Sequence, residues 1–346
     1  MRNPSLPIAA TALALLMVGA GASSATTFSL SEPFGTVGTL PTPWVATGSV
    51  VPEVVVGDAG DTPVNALRLT NSDGDQSGFV LYDQAISITS GIDISFSQAQ
   101  FGGDGGADGI AFFVKDAADA STVPGGSGGS LGYAVGRVAG LPTPGISGAL
   151  LGVGLDGYGN FDESNSDGSG CVSGAFVRSL GSNAISLRGP GQGTAGYCLL
   201  ANSVSLNAVT MAPLTNNYST RAAGTRVVRV VIDPSTAVAP KVTVFYGTTA
   251  ATLAKVIEVA LPAAFATVSG VKIGFAAGTG GSTDNHDVWG LTTAAAPVAE
   301  GAPAAPNADP ALAATGSDQT GIVVSGLGAL LLLAIGVLTM RRRRKA

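Results

Sequence analysis

Histidine is almost missing from this chain: His286 is the single one in 346 residues. A Ser-His-Asp arrangement could be built on it alone, and no strand-turn-helix nucleophile elbow accompanies it. Cysteine is nearly as scarce. Cys171 and Cys198 lie far in sequence from His286, which argues against a mixed Cys/His metal site. There are five glutamates, Glu32, Glu53, Glu163, Glu258 and Glu300, and no two are close with alternating strand spacing. This disfavours the paired carboxylates that flank a scissile glycosidic bond. Basic residues are few. Arg2, Arg341, Arg342, Arg343, Arg344 and Lys345 are six of the 17 Lys and Arg, whereas Asp318 is the one acid of 23 in the same end segments. The body between residues 23 and 315 is therefore at about −11, a poor match for nucleic acid, which needs Lys and Arg to neutralise its phosphates.

What is present at the ends concerns location. Arg2 gives a positive start, residues 8–18 are apolar, and small residues follow in Ala20-Gly21-Ala22 and Ser23-Ser24-Ala25. That order reads as a secretory signal peptide over residues 1–25, cleaved after Ala22 or Ala25. The apolar run is shorter than the ~20 residues of a membrane span. Residues 322–340 are almost wholly apolar and long enough to cross a bilayer as one helix, with the basic tail on the cytoplasmic side. The body is expected outside the cell. In an oxidising compartment two cysteines suggest a Cys171–Cys198 bridge, with two free thiols as the alternative.

Leu312-Ala313-Ala314-Thr315-Gly316 stands just before the apolar helix. Motif, helix and basic tail in this order resemble a Gram-positive cell-wall sorting signal, in a Leu-Ala-any-Thr-Gly form associated with high-GC Gram-positive bacteria. The resemblance implies sortase cleavage between Thr315 and Gly316, attachment to peptidoglycan through Thr315, and a membrane-held precursor. A plain single-pass membrane protein is the alternative, and it too would face outward.

Residues 26–293 read as one all-β domain. The spacing predicts strands over 66–70, 78–81, 91–97, 109–115, 150–156, 184–188, 226–233, 241–246, 256–261 and 272–277, separated by Gly, Asn, Asp, Ser and Pro clusters. Residues 250–259 suit a short helix or a loop and strand. No long amphipathic helix interrupts the series, so antiparallel strands in two packed sheets are expected. From 294 to 311 the chain turns Ala- and Pro-rich, as a disordered, extended linker would.

The stretch Leu151-Gly152-Val153-Gly154-Leu155-Asp156-Gly157-Tyr158-Gly159-Asn160 is unusual. Leu151, Val153 and Leu155 alternate with two glycines, as on a strand with one buried face, and Asp156, Tyr158 and Asn160 follow on the glycine side. Two other segments belong with it: Ala107-Asp108-Gly109-Ile110-Ala111-Phe112-Phe113, a loop leading into a strand, and the glycine-rich run from Gly125 to Gly132. The trio resembles the legume-type (L-type) lectin domain. The resemblance covers most of residues 28–293 and continues in residues 274–289, which look like the family's last long loop. The Leu187-Arg188-Gly189 step is closer to bacterial members than to plant ones.

The resemblance implies a concanavalin-like jelly-roll β-sandwich that binds glycans through Asp108, Gly129 and Asn160. The chemistry agrees. A carboxylate accepts paired sugar hydroxyls in charge-assisted bonds, a glycine lets backbone approach the ring, and an amide both donates and accepts. Tyr158 or Tyr133 would pack on the sugar's C–H face. Asp156, the Tyr158 carbonyl and Asn160 match the family's calcium loop, with Glu163 or Asp167 expected to complete an oxygen cage. Gly154 stands where two-metal members carry a glutamate, so no transition metal is expected; calcium alone, or no metal, is left. An Asx-type turn is the plain alternative for Asp156 and Asn160. The expected protein is a wall-anchored, calcium-assisted, non-enzymatic lectin or adhesin. A glycoside hydrolase, or a structural surface protein with a worn sugar site, would use the same sandwich. His286 is expected to be a hydrogen-bonding loop residue.

Overall fold

A computed structural model describes residues 28–295 except 58–60, 62, 64, 173–181, 204–210 and 235–239. The expected signal segment, the sorting motif with Thr315 and Gly316, the apolar helix and nearly all of the linker lie outside the described residues. Among the described residues no helix is long and apolar enough to cross a membrane.

The chain folds as an antiparallel β-sandwich. One sheet runs, in spatial order, Ala254–Ala260, Lys241–Gly247, Arg226–Asp233, Ile92–Phe101, Asn285–Ala294, Asn65–Thr70 and Glu53–Val56, with Leu30–Glu32 also pairing to Asn285–Ala294. The other runs Ala195–Gly196, Gly191–Gln192, Ala149–Asp156, Gly109–Asp116, Val271–Gly278, Ser77–Ile86 and Trp44–Gly48. Ala184–Arg188 adds to Ala149–Asp156 and carries Leu199–Asn202.

Alternation explains the first sheet. Val228, Val230 and Ile232 are buried while Val227, Arg229 and Val231 are half-exposed, as a strand with one covered face requires. The second sheet is different. Every residue of Ala149–Asp156 is buried, as are all but the last of Gly109–Asp116. Ile110, Phe112 and Val114 point into the main core between the sheets. Ala111 and Phe113 face a second cluster with Leu131, Tyr133, Phe161 and Tyr197, contributed by the loops that cover the sheet's outer side.

That second layer corrects the expectation of a strand with one buried face and accounts for the two glycines. A Cβ on Gly152 would lie 2.5 Å from the Tyr133 ring, and one on Gly154 would lie inside the Phe161 ring's contact surface. The glycines give two aromatic rings flat seats on the sheet. Gly274 does the same for Phe113.

Two local expectations need correction. Residues 274–289 are not one long loop: the strand Val271–Gly278 ends, residues 279–284 turn, and Asn285–Ala294 forms a central strand. His286 therefore lies in a sheet. It is fully buried, and its Nδ1 is 2.6 Å from Thr70 Oγ1. Burial, aided by Arg68, pushes its pKa down to about 3. Neighbouring Asp287 is also buried and bridges Arg68 (2.8 Å) and Arg221 (2.9 Å). Over 250–259 the chain takes a single 3-10 turn, Ala250–Thr252, closed by reciprocal Thr249 and Thr252 capping, and then the strand Ala254–Ala260.

Cys171 and Cys198 are disulfide-bonded, with Cα atoms 5.3 Å apart. The bridge ties the loop after Asn160 to the chain entering Leu199–Asn202.

Candidate functional site

Asp108 sits where three strand ends meet. Its N–H donates to the Gly278 carbonyl (2.8 Å), and its own carbonyl accepts from the Tyr158 N–H (3.0 Å). Gly109, at φ +150°, passes so close to the Leu155 carbonyl that a side chain there has no room. The Asp-Gly step is thus a packed junction and not a free turn.

The Asp108 side chain is buried, and its Oδ2 has no hydrogen-bond partner. Three glycines frame that oxygen: Cβ atoms on Gly278, Gly280 and Gly128 would stand 3.6, 3.8 and 3.9 Å away. Burial, reinforced by Asp75, pushes the carboxyl's pKa up to about 6. A buried acceptor without a partner costs free energy unless something donates to it. The arrangement offers hydrogen-bond donors an acceptor beside the half-buried backbone of Gly128 and Gly280.

Gly129 lies in the 3-10 turn Gly128–Ser130 and presses on Asn160; a Cβ on Gly129 would overlap the Asn160 Cβ. The three residues expected to bind sugar are thereby linked: Asp108 through the glycine frame at Gly128, Gly128 through the turn to Gly129, and Gly129 to Asn160. Of the two candidate aromatics, Tyr133 is fully buried with its hydroxyl donating to the Gly189 carbonyl (2.8 Å). Tyr158 is 47% exposed and lines a polar cleft of about 520 Å³ with Asn160, Glu163, Asn183 and Thr215. Of the two, Tyr158 is the one exposed to a ligand.

The residues expected to hold calcium behave otherwise. Asp156 is fully buried, and both its oxygens accept backbone N–H groups: Oδ1 from Gly159 (2.7 Å) and Oδ2 from Phe161 (2.6 Å). Burial raises its pKa to about 7, against those two bonds, and Asp162 and Asp108 add to the rise. Asp167 is paired with Arg188 at 2.7 Å, and Glu163 gives its backbone carbonyl to the same arginine. Among the described residues no three His, Cys, Asp or Glu side chains gather to hold a metal ion. Asp156, Tyr158, Asn160, Glu163 and Asp167 share one loop, in which Asp156 caps Gly159 and Phe161 and Asp167 pairs with Arg188.

Two residues given no role from sequence are central here. Arg188, fully buried, is the hub of this loop. Its signal was a lone cation ending the otherwise uncharged run Ala184–Arg188. Asp162, also fully buried, accepts from Asn202 (3.0 Å) and lies close enough to Asp156 to affect its charge.

No family model matches the sequence, and no curated protein matches it. Among solved structures the chain is similar to the VIP36 exoplasmic/lumenal domain in its Ca²⁺/Man-bound form, at 19% identity over 78% of this chain and 90% of that one, TM-score 0.49. It is similar to a Lotus tetragonolobus seed lectin isoform at 17% identity, covering 77% and 96%, TM-score 0.49. Arcelin-5, a lectin-like defense protein from Phaseolus vulgaris, gives 15% identity, 78% and 98%, and TM-score 0.46.

Proposed function

We propose that this chain is a carbohydrate-binding protein of the L-type lectin kind, exposed outside the cell on a wall-anchored stalk. The observation that carries the reading is the Asp108 Oδ2: a buried, partnerless carboxylate oxygen framed by Gly128, Gly278 and Gly280. Sugar hydroxyls are the donors that suit it, since a carboxylate accepts several at once and the charge strengthens each bond. Gly129 and Asn160 adjoin that frame, and Tyr158 supplies an amphipathic ring. VIP36 and the seed lectin lend company to the reading; the site's geometry supports it.

The test is a glycan array on the intact chain and on Asp108→Asn, which keeps the side chain's shape. Binding by the first and its loss in the second is the expected result. Turnover of a bound glycan would make the protein a hydrolase. A folded chain that binds nothing would be a structural surface protein. The calcium expected from the sequence enters as an arm of that array, run with calcium and with a chelator.

A further inference from the structure

We propose that the Arg188 guanidinium, and not calcium, holds the Asp156 to Asp167 loop in its ligand-binding shape, so that the site assembles without a metal. The inference rests on the lectin reading for its functional meaning, but its geometry stands apart from it.

Arg188 ends the strand Ala184–Arg188, opposite Gly152 of the neighbouring strand. Its Nε donates to the Phe161 carbonyl (2.6 Å), Nη1 to Asp167 Oδ1 (2.7 Å) and the Tyr197 carbonyl (2.6 Å), and Nη2 to the Glu163 carbonyl (2.7 Å). The acceptors are three backbone carbonyls and one carboxylate. That is the donor set a hard divalent cation takes. Here a planar fork with five N–H groups reaches them, with its charge answered by Asp167. An ion on the same oxygens would have to displace a fully buried guanidinium.

Asp156 completes the clamp from the other side. It holds the N–H of Phe161 while Arg188 holds the carbonyl of the same residue, and the Phe161 ring rests on Gly154 and beneath the guanidinium, 5.3 Å from ring centroid to Arg188 Cζ. Asn160 lies between Gly159 and Phe161, both gripped by Asp156, with Gly129 against its Cβ. Its position is therefore set by covalent neighbours that the Asp156 carboxylate and the Arg188 guanidinium fix. Arg188 is a positioning residue: it acts on the ligand through Asn160.

The decisive measurement needs no sugar. The intact chain is melted in millimolar calcium and in chelator, and titrated with Tb³⁺ as a luminescent calcium probe. A site filled to a hundred times its Kd would raise the melting temperature by about 5–10 °C in a domain of this size. The expected result is a shift below about 1 °C and no saturable Tb³⁺ signal. A calcium-dependent rise that Asp156→Asn abolishes, or saturable Tb³⁺ binding, overturns the proposal. Amide exchange gives the second readout. In Asp167→Asn, and in Arg188→Lys if it folds, exchange at Gly159 and Phe161 should quicken by about tenfold or more while the strand amides stay protected, and glycan affinity should fall by at least ~3-fold with no rescue by calcium. Wild-type protection of those two amides in Asp167→Asn also overturns it. If no glycan binds the wild type, the lectin reading fails while the melting and exchange data still decide this one.

Discussion

Replacing Gly154 by alanine tests the packing that underlies the whole site. Gly154 lies in regular strand and not in the left-handed region, so local preference alone favours alanine, by roughly 0.5–1 kcal/mol. The structure reverses that sign. The added methyl would meet the Phe161 ring, with Cδ1, Cε1 and Cγ all within 2.8 Å of it. The ring cannot simply turn away, because Phe161 is held at its N–H by Asp156 and at its carbonyl by Arg188. Overpacking costs about 1–3 kcal/mol, and strain on a hydrogen bond to a charged group adds to it, so a net loss of about 2–4 kcal/mol is expected. At about 2–4 °C per kcal/mol the melting temperature should fall by roughly 10 °C. The partner variant Phe161→Ala should cost about 3–5 kcal/mol alone, as a buried ring lost. Combined, the two should cost less than their sum by at least ~1 kcal/mol, since one removes what the other collides with. Denaturant unfolding of the four proteins measures this cycle. A Gly154→Ala variant as stable as the parent, or additive costs, would refute the seat-and-ring account.

Three further outcomes follow from the same geometry. Gly129→Ala should push Asn160 out of place and lower glycan affinity at least ~10-fold, with a circular dichroism spectrum unchanged from the parent's, as read by titration calorimetry. Asp108 links binding and stability to pH with opposite signs. Its folded-state pKa of about 6 lies above the ordinary 3.8, so its contribution to stability is present below 3.8 and lost as pH rises through 6. Sugar hydroxyls need the ionised form, so affinity read by titration calorimetry should rise about tenfold between pH 5 and pH 7, and a flat profile would refute the role given to Asp108. Cys171→Ser with Cys198→Ser opens a link between residues 27 apart and should cost roughly 3–4 kcal/mol in the chain-entropy account, seen as a lower urea midpoint.

The parts of the molecule that could be read from sequence are those whose pattern is local. Val228, Val230 and Ile232 announce a strand because their own neighbours alternate with them. Gly109 to Val114, leading out of Asp108, carries enough apolar residues to be a strand by itself. Asn285–Ala294 was hidden because it opens with Asn-His-Asp, and what makes those residues buriable lies elsewhere: Thr70 for His286, Arg68 and Arg221 for Asp287. The glycines at 152 and 154 showed that space was needed, but not that Tyr133 and Phe161, one upstream and one in the following loop, would fill it. The contacts of the expected calcium loop were hidden for a related reason. Asp156, Tyr158 and Asn160 have the spacing of a calcium loop, yet Arg188 reaches the loop's carbonyls from a strand more than twenty residues later. Spacing reveals which oxygens are near one another and leaves open which cation arrives first.

The strand Asn285–Ala294 has a mechanical consequence. It begins beside the turn that carries Gly280 and runs ten residues, about 30 Å, to Ala294, next to the last described residue. A ligand gripped at one end and a stalk pulling at the other would load this strand lengthwise. Its hydrogen bonds to Ile92–Phe101 on one side, and to Asn65–Thr70 and Leu30–Glu32 on the other, lie across that pull. They would share the force in shear and not open one after another like a zipper. If the proposed wall attachment holds, a strand loaded in shear at the centre of the sheet is the arrangement that resists such a pull.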